Sequence, residues 1–238
     1  MVRKPARGLF VTGTDTGVGK TFVAALIARA LRGGDHRVGV YKPAASGCRE
    51  QAGALVSDDA QALWEAAGCP GTLEQVCPQR FRAPLAPHLA ARAEGSELDP
   101  RQLRSGLSRW ADLCEIVVIE GAGGLMSPLG DELYVADLAR EFGYPLLVVA
   151  PNQLGVINQT LQTLITASCF RGGIPVAGVV LNQRQPPAPE DASQASNLAE
   201  LHRRCGVPVL AAVPWQATGL DPQLDWANLT GKRCDLPF

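Results

Sequence analysis

A chain of 238 residues, 46% of them apolar and 19% charged, is long enough for one large α/β domain with a sizeable core. Its 22 basic side chains are balanced by 23 acidic ones, so the broad basic surface of a nucleic-acid-binding protein is not expected. The sequence has no apolar run of membrane-spanning length and begins without the apolar stretch of a signal peptide, so we expect a cytoplasmic protein without a membrane partner.

The first predicted elements are a strand over residues 8–12 and a helix over residues 20–32, joined by the sequence GTDTGVGKT. The strand is apolar and β-branched, and the helix carries apolar residues at helical spacing until two glycines end it. Glycines between a strand and a helix N-terminus let backbone N–H groups approach an anion, so this order predicts a phosphate-binding loop. A turn that only caps the helix would explain the glycines but not the Lys-Thr pair that follows them.

The predicted loop departs from the common pattern G-x-x-x-x-G-K-[ST] by one position. Gly19, Lys20 and Thr21 fit the end of that pattern, but the leading glycine is Gly13, and Thr14 stands where the pattern places a glycine. Lys20 would neutralise the outer phosphates of a nucleotide, and the Thr21 hydroxyl would face a magnesium ion. The loop therefore predicts nucleotide binding by a variant of the phosphate loop.

Strand and helix patterns alternate along the rest of the chain. Two strands, IVVI and PLLVVA, are continuous apolar runs, as expected where helices cover both faces of a sheet. The pattern predicts an α/β fold like that of the P-loop NTPases, with a doubly wound, mostly parallel sheet, in a single domain over residues 1–238. The further predicted strands are residues 37–41, 115–119, 145–150, 174–181 and 207–212, and the further helices are residues 57–67, 99–110, 134–142, 155–171 and 193–204.

Two other stretches are less regular. Residues 69–98 contain prolines and are predicted to be a long excursion from the sheet. Residues 183–197 are predicted to include a polar, proline-rich loop. Neither stretch shows the composition break that would mark a second domain.

Charged side chains follow two of the predicted strands at their carboxyl ends, where ligands bind in parallel sheets. Lys42 follows the second strand, with Ser46 in the turn behind it, and it is either a site residue or an ordinary surface lysine. Glu120 closes a fully apolar strand before a glycine-rich turn, and a buried carboxylate there needs a cation or hydrogen bonds. Together with the Thr21 hydroxyl and nucleotide phosphates, this carboxylate predicts a magnesium site.

A third candidate is the sequence SDDAQAL at the start of the helix over residues 57–67. Ser57 or Asp58 caps this helix in one interpretation and belongs to the site in the other. Asp59, one residue further, is a candidate second carboxylate for magnesium.

Cysteine and histidine patterns exclude other kinds of site. The seven cysteines form no C-x-x-C pair, and the three histidines lie far apart in sequence. We therefore expect reduced thiols and predict neither a zinc site nor a redox dithiol.

Three motifs in this order and spacing, GTDTGVGKT, YKPAASG and EGAGG, make the sequence resemble the dethiobiotin synthetase family. The similarity extends to APHLAARAEG, LGVIN, the strand-end Asn182 and VPW at residues 213–215, so it covers nearly the whole chain. In that family the loop begins Gly-Thr-Asp-Thr with the first glycine displaced, as it is here. The resemblance implies a ligase of biotin biosynthesis that converts 7,8-diaminononanoate, CO₂ and ATP to dethiobiotin, ADP and phosphate. The implied path runs through a carbamate and a carbamic–phosphoric anhydride.

The same resemblance implies a role for each matching residue. Lys42 and Lys20 are implied to be catalytic, and Thr21, Asp59 and Glu120 are implied to hold Mg²⁺. The residues implied to bind ATP are Gly17, Val18, Gly19, Lys20, Thr21, Phe22, Asp59, Glu120, Gly121, Ala122, Gly123, Asn182, Gln183, Pro214, Trp215, Gln216 and Asp221. The residues implied to bind the diamine are Thr16, Ser46, Gly155, Val156, Ile157 and Asn158.

The resemblance also implies a homodimer, in which residues 155–158 of one subunit complete the substrate site of the other. Two positions depart from the family pattern. Gly17 stands where some members carry glutamate, and Gln153 stands where a basic residue is often found. The departure at Gln153 removes a positive charge that the family pattern implies for binding the substrate carboxylate.

Two other classes of protein share this kind of loop. A cobyrinic acid amidating synthase typically continues Lys-Pro-Gly-Pro-Asp in its second motif and carries an additional glutamine-hydrolysing domain. A switch ATPase of the partitioning or positioning type usually has a lysine near the start of the loop, where residues 14–16 here are Thr-Asp-Thr. The switch ATPase remains the alternative function, and a basic surface or amphipathic terminal helix would favour it.

Overall fold

The computed structural model describes residues 4–186 and 191–231, and a parallel sheet lies at its centre. The strands are β1 (Arg7–Gly13), β2 (Val38–Tyr41), β3 (Ala44–Ala45), β4 (Arg49–Gln51), β5 (Ala54–Val56), β6 (Gln79–Arg80), β7 (Ile116–Gly124), β8 (Leu146–Pro151), β9 (Val176–Asn182) and β10 (Val209–Val213). Six of them form the central sheet in the order β10-β9-β8-β1-β7-β2, with every neighbouring pair parallel. The short strands β3 and β6 form a parallel pair, and β4 and β5 form an antiparallel hairpin.

Helices follow most of the central strands and cover both faces of the sheet. They are α1 (Lys20–Gly33), α2 (Asp58–Ala66), α3 (Leu73–Val76), α4 (Pro87–Ala93), α5 (Pro100–Ser105), α6 (Val135–Phe142), α7 (Val156–Cys169), α8 (Ser193–Arg204) and α9 (Trp226–Leu229). Side-chain caps set several of the starting points, because the first N–H groups of a helix have no partner within it. Ser57 caps α2, Thr72 caps α3 in a capping box, and Asp99 caps α5.

The core lies on both faces of the three central strands β8, β1 and β7. Their apolar runs are fully buried, and Phe142 of α6 packs at 6.3 Å between ring centroids against both Phe10 and Tyr41. A smaller apolar cluster fills the space between β8, β9, α7 and α8 and includes Val148, Val179 and Leu201. Burial on both faces explains why these strands have continuous apolar runs rather than alternating ones.

The chain connections place a crevice at the carboxyl edge of β1. After β1 the chain builds β2 and then β7 on one side of it, and only later β8, β9 and β10 on the other side. In doubly wound sheets, ligands bind where the strand order reverses in this way. No helix in the described ranges has the length and apolar character needed to cross a bilayer.

The predicted fold class is confirmed, and all six predicted strands are present with small shifts of their ends. Two predicted helices are shorter: residues 99–110 divide into α5 and the 3₁₀ segment Gly106–Trp110, and residues 155–171 end as α7 before the 3₁₀ segment Phe170–Gly172. In both places the final turns tighten, which is common at helix C-termini.

Other local predictions were wrong. The glycine-rich stretch after Glu120 is predicted as a turn, but β7 continues to Gly124, which pairs with Gly13 of β1. The excursion over residues 69–98 contains α3, β6 and α4, and the β4–β5 hairpin was not predicted. These elements are too short to show a hydrophobic period. Part of the predicted loop over residues 183–197 lies outside the described residues, and α8 begins at Ser193.

Candidate active site

The phosphate-loop candidate joins β1 to α1 at the crevice, as predicted. Gly17 and Gly19 have φ values of 69° and 92°, in the left-handed region that favours glycine. The displaced glycine also has a steric reason, because a Cβ on Gly13 would lie 2.7 Å from both Asp15 O and a methyl carbon of Val18. The turn of the loop therefore requires a glycine at the end of β1 and tolerates threonine at the next position.

Lys20 is folded back over this loop. Its Nζ donates a hydrogen bond to the backbone oxygen of Asp15 at 2.9 Å, and only 7% of the residue is exposed. Burial lowers the pKa of Lys20 below its ordinary value, although the nearby carboxylate of Glu120 opposes this shift. Asp15 shapes the same turn, since its Oδ1 accepts a hydrogen bond from the backbone N–H of Thr16 at 2.6 Å. Asp15 lies inside the motif but was not among the predicted site residues.

A charged cluster of Lys42, Glu120, Asp59 and Thr21 lies beside the loop. Lys42 directly follows β2 and Glu120 lies within the adjacent strand β7, and their Nζ and Oε1 atoms are 2.6 Å apart. The second carboxylate is that of Asp59 in the first turn of α2, whose Oδ2 lies 2.8 Å from Lys42 Nζ. Thr21 Oγ1 donates to Glu120 Oε1 at 3.0 Å. Ser57 Oγ accepts a hydrogen bond from Ala60 N, which confirms that Ser57 caps α2.

The carboxylates keep the buried Lys42 charged. Burial alone would lower the pKa of Lys42, but Glu120 and Asp59 together hold it above its ordinary value. Burial would likewise raise the pKa of Asp59, but the charge and hydrogen bond of Lys42 hold it below its ordinary value. Lys42 is 4% exposed and Glu120 is 1% exposed, so these two residues form an internal ion pair, whereas the side chain of Asp59 is 53% exposed and reaches solvent.

The cluster also fits a divalent cation. Glu120 Oε2 is buried and accepts no hydrogen bond from any described residue. Two carboxylates and a hydroxyl, from Glu120, Asp59 and Thr21, are the oxygen donors that a hard cation prefers. The described residues contain no group of three or more acidic, histidine or cysteine side chains that could hold a metal by themselves. A cation here would therefore share its coordination with a ligand that supplies oxygens, such as a phosphate.

A cleft of about 390 Å³ opens above the loop and the charged cluster, and we call it the phosphate-loop cleft. Its walls come from the ends of β1, β2 and β7, which are neighbours in the sheet, and they include Ala44 and Ala45 of β3, which were not predicted. Val18 does not line the cleft but is buried in the core with 2% exposure. The predicted residues that line it are Thr16, Gly17, Gly19, Lys20, Thr21, Phe22, Lys42, Ser46, Asp59, Glu120, Gly121, Ala122 and Gly123.

Comparison with known proteins identifies the family. A family profile described as an AAA domain matches residues 7–223. The ATP-dependent dethiobiotin synthetase BioD of Rhodopirellula baltica is 46% identical over 215 residues, covering 86% of this chain and 82% of that protein. The protein of the same name from Anaeromyxobacter dehalogenans (strain 2CP-C) is 46% identical over 210 residues, covering 88% of this chain and 91% of that protein. The chain belongs to the dethiobiotin synthetase family.

The fold of this dethiobiotin synthetase family member is shared more widely. A ParA family ATPase from Chlorobium tepidum TLS aligns with a TM-score of 0.54, covering 94% of this chain and 90% of the other. The two chains are only 16% identical, so the likeness concerns the fold alone.

The family pattern assigns nucleotide contacts to Asn182, the last residue of β9, and to Gln183, which follows the strand. Asn182 points to the phosphate loop, where its Nδ2 donates to Val18 O at 3.0 Å. Gln183 has other partners, since its Oε1 accepts a hydrogen bond from Asn152 at 2.9 Å and its Nε2 donates to Gln194 at 3.0 Å. The two side chains therefore contact different parts of the chain.

The remaining family nucleotide residues lie outside the phosphate-loop cleft. Gln183, Pro214 and Trp215 line a neighbouring hollow of about 530 Å³. Gln216 has a φ of 55°, which turns the chain away after Trp215. Asp221 lines a different hollow of about 510 Å³, beside the C-terminal half of α1. Their roles toward a nucleotide stay predictions.

Of the family substrate residues at the start of α7, Gly155 and Asn158 are exposed, whereas Val156 is buried. Gly155 is the N-cap with a φ of 94°, and no side chain caps the helix. Leu154 beside it is 82% exposed, and Asn158 is exposed as well. Residues 155–158 do not line the described phosphate-loop cleft of their own chain.

Proposed function

We propose that this chain catalyses the ATP-dependent carboxylation and ring closure of 7,8-diaminononanoate with CO₂, giving dethiobiotin, ADP and phosphate in biotin biosynthesis. The observation that carries this proposal is the buried ammonium of Lys42, held by Glu120 and Asp59 at the wall of the phosphate-loop cleft. Fixed positive charge beside a phosphate loop is what a phosphoryl transfer to an anionic acceptor needs. Membership in the dethiobiotin synthetase family names the reaction.

The proposed reaction has three steps. One substrate amine attacks CO₂ and loses a proton, which leaves a carbamate anion. A carbamate oxygen then attacks the γ-phosphorus of ATP, so that ADP leaves and a carbamic–phosphoric anhydride forms. The second amine attacks the carbonyl carbon of this anhydride, and phosphate leaves as the ring closes. No step needs a protein nucleophile, so the protein acts through position and charge.

The two lysines supply the charge in this scheme. Lys20 and Lys42 both line the cleft, and each is less than a tenth exposed, so their fields act through a poorly solvated region. Lys42 stabilises the carbamate and the phosphoryl group in transfer. Lys20 stabilises the outer phosphates and leaves its hydrogen bond to Asp15 O to do so.

We propose Mg²⁺ as the cation of the charged cluster, held by Thr21, Asp59 and Glu120. The unpaired Oε2 of Glu120 supports this assignment, as does the hard-oxygen donor set. When bound, Mg²⁺ would neutralise phosphate charge. The Thr21 hydroxyl and the two carboxylates would orient it, while Lys42 keeps the cluster from carrying excess negative charge.

We assign the ATP phosphates to residues 17–22 and the cleft wall over residues 120–123. The left-handed glycines and the start of α1 support this assignment, because they present backbone N–H groups to an anion. Asn182 braces the loop and has a buried, unpaired Oδ1 that can accept a hydrogen bond from the base. Gln183, Pro214, Trp215, Gln216 and Asp221 complete the nucleotide site in this proposal.

For the diamine, we propose that Thr16 and Ser46 contact it in the phosphate-loop cleft. Its carboxylate would bind at the N-terminus of α7 from a second subunit, at Gly155, Val156, Ile157 and Asn158. The open start of α7 supports this arrangement, since a helix N-terminus attracts anions. The proposed enzyme is therefore a homodimer with its site at the interface, a single domain per chain and a cytoplasmic location.

The test is reconstitution with each component omitted in turn. The purified chain with diamine, bicarbonate and Mg-ATP should form the cyclic urea, detected by mass, with about one ADP per ring closed. Water is a poor acceptor in a site arranged for a carbamate, so ADP release should be slow unless diamine and bicarbonate are both present. ADP release that ignored both substrates but responded to DNA or lipid would refute the synthetase and favour the switch ATPase.

A further inference from the structure

Arg184 lies against the phosphate loop although it follows a strand from the other half of the chain. β9 ends at Asn182, whose side chain lies flat on the loop and donates to Val18 O at 3.0 Å. Two residues later, a Cβ built on Gly19 would lie 3.9 Å from Arg184 Cγ, and one built on Gly17 would lie 3.9 Å from Arg184 Nη2. The side chain of Arg184 therefore extends along the loop from Gly19 to Gly17.

The charge of Arg184 is not used by the described parts of the chain. Its guanidinium forms neither a hydrogen bond nor an ion pair with any described residue. The two lysines of the cleft differ in this respect, because Lys20 Nζ donates to a backbone oxygen at 2.9 Å and Lys42 Nζ lies 2.6 Å from Glu120. Arg184 is exposed, so it remains solvated while it is unpaired.

Neither Gly17 nor Gly19 places a side chain between the loop backbone and Arg184. Gly17 has no side chain, and its left-handed φ of 69° disfavours one. The N–H groups of such a loop already attract anions, and a guanidinium presents planar donors that match phosphate oxygens. A polyphosphate bound to the loop N–H groups would therefore also lie beside the guanidinium of Arg184.

We propose that Arg184 is a phosphate-binding residue that contacts the polyphosphate of the bound nucleotide over residues 17–19. The proposal rests on the nucleotide site proposed above and adds a third cation to it, after Lys20 and Lys42. Because Arg184 is far more exposed than those lysines, its contribution is to nucleotide affinity and not to the transfer step.

The test compares the affinities of the full-length protein and its variants for Mg-ATP and for adenosine, which lacks phosphates. Arg184→Ala should raise the Kd for Mg-ATP about tenfold, as expected for one lost charge-assisted hydrogen bond. The Kd for adenosine should not change, and Arg184→Lys should be intermediate because lysine keeps the charge without the planar donors. Arg101→Ala is the matched control, since it removes an exposed arginine from α5, whose residues do not line the cleft. It should leave both affinities as in the wild type.

Turnover gives a second readout. With saturating Mg-ATP, kcat of Arg184→Ala should stay within about twofold of wild type while KM for ATP rises. Wild-type affinity for Mg-ATP in Arg184→Ala, or an equal loss of Mg-ATP and adenosine binding, would overturn the role of Arg184. A wild-type protein that binds no Mg-ATP would instead refute the nucleotide site itself.

Discussion

At the scale of single residues, the protonation of Lys42 decides what this side chain can do. Its pKa lies above the ordinary value, because two carboxylates outweigh the effect of burial. The ammonium therefore stays charged at neutral pH and acts as a fixed electrostatic donor rather than as a proton carrier. The pKa of Lys20 shifts the opposite way, because burial outweighs the attraction of Glu120 and the positive charge of Lys42 lowers it further.

Replacing Lys42 should separate catalysis from nucleotide binding. We expect Lys42→Ala to reduce kcat by about two to three orders of magnitude, the range seen when a transition-state donor is lost. Binding of Mg-ATP should be nearly unchanged, because the loop and Lys20 remain. Steady-state turnover and titration with Mg-ATP measure the two effects.

Removal of Lys42 also leaves the buried Glu120 without its closest cation, so a loss of folding must be distinguished from a loss of catalysis. Lys42→Arg keeps the charge with a different shape and should retain more activity than Lys42→Ala. Circular dichroism reports whether both variants are folded. Near-normal turnover in a folded Lys42→Ala protein would contradict the catalytic role.

At the scale of elements, the cap of α2 connects local stability to the charged cluster. Ser57 Oγ accepts a hydrogen bond from Ala60 N at 3.2 Å, and Asp59 lies in the same first turn. The helix start therefore sets the position of the carboxylate that contacts Lys42. Thr72 caps α3 in a comparable way, but no residue of α3 lines the phosphate-loop cleft.

These two caps offer a matched pair of variants. Ser57→Ala and Thr72→Ala should each lower the free energy of unfolding by about 1 kcal/mol, the usual cost of a lost cap. Only Ser57→Ala should also reduce kcat, because only α2 carries a residue of the charged cluster. Urea denaturation and turnover assays measure both quantities. Equal effects of the two variants on kcat would show that the cap does not position Asp59.

At the scale of the whole molecule, the start of α7 does not line the phosphate-loop cleft of its own chain. If a second subunit places its cleft against the start of α7, the exposed Leu154 would be covered and the uncapped first turn would face the substrate of that subunit. The homodimer proposal makes each site depend on residues from two chains. Such sites can be separated genetically and restored by mixing.

Hybrid dimers test this arrangement. Lys42→Ala disables the cleft, and Asn158→Asp places a negative charge at the start of α7, where it repels a substrate carboxylate. Each variant alone should be nearly inactive, whereas their mixture after subunit exchange should recover about a quarter of wild-type activity, because half of the dimers then hold one intact site. A monomeric mass by light scattering, or a mixture no more active than its parts, would contradict the proposal.

Local patterns in the sequence predict the strand–loop–helix unit around residues 8–32 and the apolar strand that carries Glu120. These predictions succeed because hydrophobic period, glycine chemistry and helix caps act over a few residues. The same locality explains the errors at β4, β5 and β6, since strands of two or three residues have no period to detect. The helix predicted over residues 99–110 is shorter because its last turns form a 3₁₀ segment that ends at Trp110. This side chain is fully buried in the core, a contact that the local pattern does not encode.

The sequence by itself determined the class of fold and the nucleotide loop, and through the family motifs it predicted the residues of the candidate site. Only the tertiary structure decided how these residues meet. The contact of Lys42 with Glu120 spans 78 positions, and that of Asn182 with Val18 spans 164. Contacts of this kind follow from strand order and from the face of each strand that a side chain occupies. Both are set by burial of the whole sheet, so no local stretch of sequence encodes them.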